Sequence, residues 1–287
     1  MRRHHLARTD LPLSNMLYSY PQHLQESAAS APNAPGIYIF RGKANDYPVY
    51  IGKSINLRAR LLSHLRTKAE KRLLAQAGSI EIIRTAGEFS ALLLEAQLIK
   101  RMQPMFNKML RATSILHSIR VTDDTVEIEA ISSPEFSESE NLHGLFRSRR
   151  SAEELLRALA DQHGLCLAVM GMESTIFSRG CFRHSLKRCH GACCGHENIK
   201  AHNDRLGEAL AGYRIRTWPF AGFVGLKEKY EELTSIHLIK NWHYYGTVQS
   251  LDDLDINKVS PAPIFDADIY KILVAAMFNS KANLIEV

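Results

Sequence analysis

Two segments decide how this chain is read: Gly36-Ile37-Tyr38-Ile39-Phe40 and Val49-Tyr50-Ile51-Gly52. Both are short, apolar and rich in β-branched and aromatic residues. The polar stretch Gly42–Pro48 separates them, so a β-hairpin is predicted. Working outward, the stretch from Ile55 to Lys68 carries Leu57, Leu61, Leu62 and Leu65 at helical spacing. Ser79 to Arg84 reads as a third strand. Thr85 and Glu88 predict a capping box for a helix through Leu92, Leu93, Leu94, Leu98 and Ile99, which should stop before Pro104. Upstream, residues 28–35 read as a linker. The expected organisation is an N-terminal tail over 1–30 and a small domain over 31–113, with an antiparallel sheet flanked by helices.

Beyond Asn107 the pattern changes. Ile119–Ile131 predicts a strand pair turning at Asp123-Asp124, and helices are predicted over Ser151–His163 and about 198–212. Gly222–Glu228 and Ser235–Gln249 read as strands and about 266–278 as a helix. A connecting region over 114–200 and a C-terminal module over 201–287 follow, both α+β. The fold class is α/β in the broad sense and α+β in detail.

At 287 residues the chain can bury more than one core. No apolar run approaches a membrane span, and the basic start Met1-Arg2-Arg3 leads into no signal-peptide h-region. A cytoplasmic protein is expected, with no membrane partner. The net charge of +6 is unevenly spread. Residues 1–113 hold 17 Lys/Arg against 7 Asp/Glu, whereas the remaining 174 hold 19 against 23. A basic half beside a mildly acidic one suits a polyanionic partner; a merely solvated basic surface is the plain alternative.

Polar residues in the first domain carry the chemistry. Glu95 has Ala91, Leu92, Leu98 and Ile99 as its helical neighbours, so its carboxylate leaves an apolar face. Burying it calls for an arginine, a lysine or a metal cation. Tyr50 ends the second strand; a free tyrosine with a pKa near 10 needs a positive neighbour to serve as a base, and Lys53 is close in sequence. Arg60 and His64 share one side of their helix; the first suits a phosphate and the second a proton transfer. Arg58, Arg66, Lys68, Lys71 and Arg72 are candidates for contact with the backbone of a polyanion. Asn107, after Pro104-Met105-Phe106, reads as a turn residue.

All five cysteines fall between 166 and 194. A cytoplasmic chain is not expected to keep disulfides. Cys181, Cys189 and Cys193 are clustered among Arg183, Lys187, Arg188 and His190. Four thiolates can hold zinc or an iron–sulfur cluster, though the spacing is not the paired Cys-x-x-Cys of zinc ribbons. Buried apolar thiols are the plain alternative.

Taken in order, the Gly-Ile-Tyr and Tyr-Ile-Gly segments, Lys53, Arg58, Arg60, Glu95 and Asn107 resemble the GIY-YIG nuclease family over roughly residues 34–110. The resemblance implies hydrolysis of a DNA phosphodiester bond. It makes Tyr50 the general base, Tyr38 a member of its hydrogen-bond network, Arg60 the catalytic arginine, Glu95 the ligand of a single Mg²⁺ or Mn²⁺, and Asn107 a support that closes the site. His64 departs from the UvrC pattern, which usually has tyrosine there, so Tyr50 and His64 both stand as candidate bases. The cysteine segment is similar to that of UvrC, where Cys166, Cys181, Cys189 and Cys193 match the ligands of a [4Fe–4S] cluster, with Zn²⁺ as the alternative; Cys194 is spare. A short chain with both features resembles the Cho-type, UvrC-homologous excision nucleases of bacterial nucleotide excision repair. That implies damaged double-stranded DNA as substrate, UvrA and UvrB as partners, and one incision, on the 3′ side, because the chain ends before a second nuclease domain could fit. A stand-alone structure-specific nuclease and a noncatalytic DNA-binding adaptor are the other readings.

Overall fold

A computed structural model describes residues 19–110, 116–122, 125–131, 141–174, 180–252, 254, 259, 265–279 and 282–287. The chain divides into two compact units, one of residues 1–112 with 228–235, the other of 113–227 with 236–287.

In the first unit β1 (Gly36–Gly42), β2 (Pro48–Ser54) and β3 (Ala77–Arg84) form an antiparallel sheet in the order β2-β1-β3. Phe40 lies opposite Tyr50, and Tyr38 opposite Gly52. Side chains alternate across a strand, and both faces here are apolar. Tyr38 and Phe40 pack towards α1 (Gln22–Ser30), α2 (Leu57–Arg66) and α3 (Lys71–Gln76) through Leu24, Leu61, Leu65 and Leu74. Ile37, Ile39 and Ile51 pack on the opposite side against Ala91, Leu98 and Ile99 of α4 (Glu88–Met102). A central strand buried on both faces explains why the segment reads as a continuous apolar run.

Three local readings differ from the structure. The stretch 28–35 begins inside α1, whose Leu24 and Ala28 are buried. The helix after the hairpin starts at Leu57 because the Asn56 side chain caps it, accepting from Ala59 N–H at 3.0 Å. The predicted capping box at α4 does not form: Gly87 is the N-cap, and Thr85 Oγ1 donates to Gly87 O instead. The Glu228 carboxylate takes the capping role, accepting from the Phe89 and Ser90 N–H groups at 3.0 and 2.6 Å. A carboxylate satisfies the free amides of a helix start and complements its dipole.

The second unit contains a sheet of β4 (Leu116–Val121), β5 (Val126–Ile131) and β6 (Leu142–Phe146) in the order β5-β4-β6. The predicted turn at Asp123-Asp124 lies outside the described residues. A core around Ile119, Leu156, Leu159, Leu206 and Leu210 joins this sheet to α5 (Arg149–His163) and α7 (Ile199–Leu210). Between these helices come the cysteine segment and the short α6 (Phe182–Ser185). A second sheet follows: β7 (Val224–Tyr230), β8 (Leu233–Lys240), β9 (His243–Val248) and, after α8 (Ala267–Met277), β10 (Leu284–Glu286), in the order β10-β7-β8-β9. The stretch 235–249 is thus two strands, turned at Asn241 and Trp242, which both have positive φ. Trp242 is buried and edge-on to Trp218 and Tyr270, so both tryptophans serve packing. No helix among the described residues is long and apolar enough to cross a membrane.

Candidate active site

The hairpin register sets the two tyrosines on one face of the sheet. Tyr38 opposes Gly52, two residues beyond Tyr50. A Cβ at position 52 would overlap the Tyr38 phenol. Glycine there lets the Tyr38 ring lie across β2, with its centroid 6.2 Å from that of Tyr50.

His64 projects from α2 beneath this pair and is 2% exposed. Its Nε2 lies 2.6 Å from the Tyr38 hydroxyl, and its Nδ1 bonds the Glu70 carboxylate. Arg60, one turn earlier on α2, donates from Nε to the Tyr38 oxygen at 3.2 Å. Arg60 is exposed as a residue, and its charge acts on both Tyr50 and Glu95. Glu70 sits in the 3₁₀ turn after α2, six residues from His64. No helical period connects them, so the sequence carries no signal for the pair.

Burial drives the electrostatics. It is the largest cause raising Tyr50 above the ordinary tyrosine value; a bond with Tyr38 opposes it, the Glu95 charge adds to it, and Arg60 offsets it. Tyr38 is raised further, chiefly by its own burial, and stays protonated. Glu95, half-buried on α4, is likewise raised by burial, while the Lys53 charge, the Lys53 backbone N–H and Arg60 pull it down. The Lys53 ammonium itself bonds Glu88 at 2.5 Å. Lys53 and Arg60 both lower Glu95, and Arg60 also lowers Tyr50.

Asn107 supports β2 from behind. Its side-chain amide accepts from Ile51 N–H at 2.9 Å and donates to Ile51 O at 2.8 Å. It mimics a strand neighbour for the residue next to Tyr50. Arg58 is half-buried and donates to Ala31 O at 2.6 Å, tying α2 to the end of α1. Arg66, Lys68 and Arg72 are exposed, and Lys71 is half-buried. The surface after α2 is thus free to meet an anion, whereas Arg58 has a structural partner.

In the second unit four thiols converge. The sulfurs of Cys166 and Cys181 are 3.7 Å apart, those of Cys181 and Cys189 are 3.5 Å apart, and Cys193 Sγ accepts from Cys181 N–H at 3.2 Å. No disulfide joins them. His202, fully buried, accepts the Cys166 N–H at 3.0 Å on Nε2 while Nδ1 meets Asn203 Oδ1. Burial pushes the Cys189 and Cys193 thiols up to about 12, whereas N–H bonds outweigh burial and hold Cys166 below its ordinary value. Four soft donors, packed with Ala192, Ala168 and Val169, fit a thiolate-bound metal centre. The Cys166, Cys181 and Cys189 sulfurs all lie within 4.8 Å of one another.

Comparison with known proteins finds matches over three segments of the chain. Residues 34–108 match the UvrC-like GIY-YIG domain, 116–212 the middle domain of the UvrC/Cho excinucleases, and 223–287 the C-terminal domain of excinuclease Cho. Over 270 residues the chain is 45% identical to an excinuclease cho of Salmonella typhi, spanning 94% of this chain and 92% of that protein. It is 32% identical over 215 residues to a UvrABC system protein C of Thermotoga petrophila, spanning 73% of this chain and 36% of that one. A solved N-terminal GIY-YIG endonuclease domain of UvrC from Thermotoga maritima, bound to its catalytic divalent cation magnesium, is 39% identical; the match covers 29% of this chain and 93% of that one, with a TM-score of 0.27.

Proposed function

The chain belongs to the UvrC/Cho excinuclease family, and on that premise we propose that it makes one divalent-cation-dependent incision on the 3′ side of a lesion in duplex DNA. It is a nuclease of nucleotide excision repair that hydrolyses DNA phosphodiester bonds. In this reading UvrA and UvrB deliver the damaged duplex, and the cytoplasm is the working compartment.

The observation that carries the reading is geometric: the Tyr38 and Tyr50 rings lie 6.2 Å apart on one face of the sheet, and Arg60 Nε donates to the Tyr38 oxygen at 3.2 Å. The charges of Glu95 and Arg60 both act on Tyr50. Glu95 would hold the cation: an acidic oxygen kept costly by burial suits Mg²⁺ or Mn²⁺, which takes one or two carboxylates and completes its shell with water and phosphate oxygens. When bound, the cation supplies Lewis-acid charge for the oxygen that becomes negative. Neutralising the Glu95 charge also removes one of the causes that hold Tyr50 high. Tyr50, in its ionised phenolate form, accepts a proton from the attacking water. Arg60 faces the phosphate as its charge grows, and Tyr38 orients Tyr50.

The cysteine segment holds a metal centre in this reading. The UvrC resemblance implies a [4Fe–4S] cluster, with Zn²⁺ as the alternative.

The deciding experiment is incision of a site-specifically damaged duplex with Mg²⁺, with and without UvrA and UvrB. A single 3′-side cut that needs both proteins supports the proposal. Equal cutting without them would make the chain a stand-alone nuclease, and no cutting in either case would make it an adaptor.

A further inference from the structure

Beside the four converging thiols stands a second donor group that they do not use. A ring nitrogen of His184, the Cys194 sulfur and a ring nitrogen of His196 all lie within 4.8 Å of one another. His184 lies within α6, where its Nδ1 is 3.5 Å from Cys189 O and its other nitrogen is left for an ion; the other two flank Gly195. The two imidazoles stack with centroids 4.8 Å apart and 27° between their planes. Binding one ion turns the rings out of this stack until a nitrogen of each faces it, a rotation open to the exposed His196.

The backbone is shaped around these donors. A Cβ at Gly180 would come 2.7 Å from the Cys194 sulfur, and one at Gly191 would come 2.6 Å from the His184 ring. Both glycines have φ in the left-handed region, +76° and +78°. Glycine is required at both places twice over, by conformation and by space. Cys194 donates only a weak bond to Gly191 O at 3.3 Å. His184 and Cys194 are half-buried and His196 is exposed, so an ion can enter from solvent.

We propose that His184, Cys194 and His196 form a second metal site, separate from the four-cysteine centre and specific for a zinc-class divalent ion. One thiolate and two imidazoles are borderline-soft donors, which suit Zn²⁺ and disfavour Mg²⁺. The two metal preferences in the chain are thus divided by donor chemistry. Three protein ligands leave a fourth tetrahedral position open to water or an outside ligand.

The test is metal stoichiometry in the full-length chain, purified without oxygen, incubated with zinc and desalted. Wild type should carry about one zinc ion more than His196→Ala, His184→Ala or Cys194→Ser, with the metal of the four cysteines unchanged in all. Cobalt(II) titration should give the visible bands of a thiolate-bound tetrahedral ion, and Cys194→Ser should lose that increment. His196→Ala removes an exposed ring, so its fold is not at risk. Wild-type zinc content in His196→Ala and His184→Ala would overturn the proposal. So would Cys194→Ser losing the four-cysteine metal while His196→Ala loses nothing, because Cys194 would then belong to that centre.

Discussion

The hydroxyl of Tyr38 lies 2.6 Å from Nε2 of His64. The carboxylate of Glu70 on the opposite nitrogen fixes the proton at Nδ1, so Nε2 accepts from the phenol. The Tyr38 ring packs against that of Tyr50, centroids 6.2 Å apart. His64 bonds Tyr38, so under the proposed mechanism it acts on Tyr50 through the Tyr38 ring, as a positioning residue. His64→Ala should lower the rate by about 10²-fold, the scale of a misplaced catalytic group, with DNA binding kept. Glu70→Gln should lower it less, because an amide oxygen still accepts from Nδ1. Cutting at the wild-type rate in His64→Ala would rule out this role.

Tyr50 itself is raised by burial and by the Glu95 charge. The base is the deprotonated form, so a raised pKa means that the active fraction grows as pH rises. Cleavage at saturating Mg²⁺ should climb across the neutral range, about tenfold per pH unit, and flatten only on the alkaline side. Tyr50→Phe should be nearly inactive at every pH. Activity kept in Tyr50→Phe but lost in His64→Ala would transfer the base to His64.

Glu95 gives a stability signature as well as a kinetic one. Its carboxyl is raised in the folded state, chiefly by burial. A raised acid favours the fold while protonated, and that advantage is lost as pH rises through the folded pKa. Without cation, ionised Glu95 is therefore unfavourable at neutral pH. Glu95→Gln should melt higher than wild type in EDTA. Mg²⁺ should raise the melting temperature of wild type and leave Glu95→Gln unmoved, and Glu95→Ala should bind DNA yet fail to cut it. Normal turnover of Glu95→Ala in Mg²⁺ would remove the cation from Glu95.

Most of the first unit was legible because its signals are local. The two-strand hairpin, the leucines of α2 and the apolar stripe of α4 each lie within one segment. α1 was not legible: only Leu24 and Ala28 are buried, too few to declare a period. The α4 cap was misread because its partner, Glu228, is 138 residues from Ser90. Glu70 escaped for the same kind of reason, since only the turn after α2 brings it back to His64. Residue type made Tyr50, Arg60 and Glu95 candidates, but their mutual protonation effects appear only once three elements are packed.

Gly52 links the fold to the chemistry. A Cβ there would overlap the Tyr38 phenol, which is fixed at its far end by His64 and Arg60. The ring can yield only by breaking those contacts. Gly52→Ala should leave the hairpin formed, because alanine is acceptable in a strand, yet lower the cutting rate far more than DNA affinity. Circular dichroism and binding should stay near wild type while single-turnover cleavage falls by about 10²-fold or more, the scale of a misplaced catalytic group. Wild-type cleavage would show that the Tyr38 position is not critical.

The cysteine segment should depend on its metal for folding. Cys166, Cys181 and Cys189 are buried with little around them besides Ala192, Ala168 and Val169. Such a small apolar cluster gains little from burial, and the two thiols pushed up to about 12 must give up protons before they can ligate. Binding should therefore weaken as pH falls, with proton release on loading. Cys189→Ser should lose the metal and make residues 164–195 sensitive to protease. Tyr50, Arg60 and Glu95 belong to the other unit, so Mg²⁺-dependent nicking should persist in that variant. Metal analysis after anaerobic purification separates the two centres: about four irons per chain and a brown colour for a cubane, zinc without iron for a single ion. Wild-type protein with neither metal, and a Cys189→Ser variant as protease-resistant as wild type, would leave these thiols as ordinary core residues.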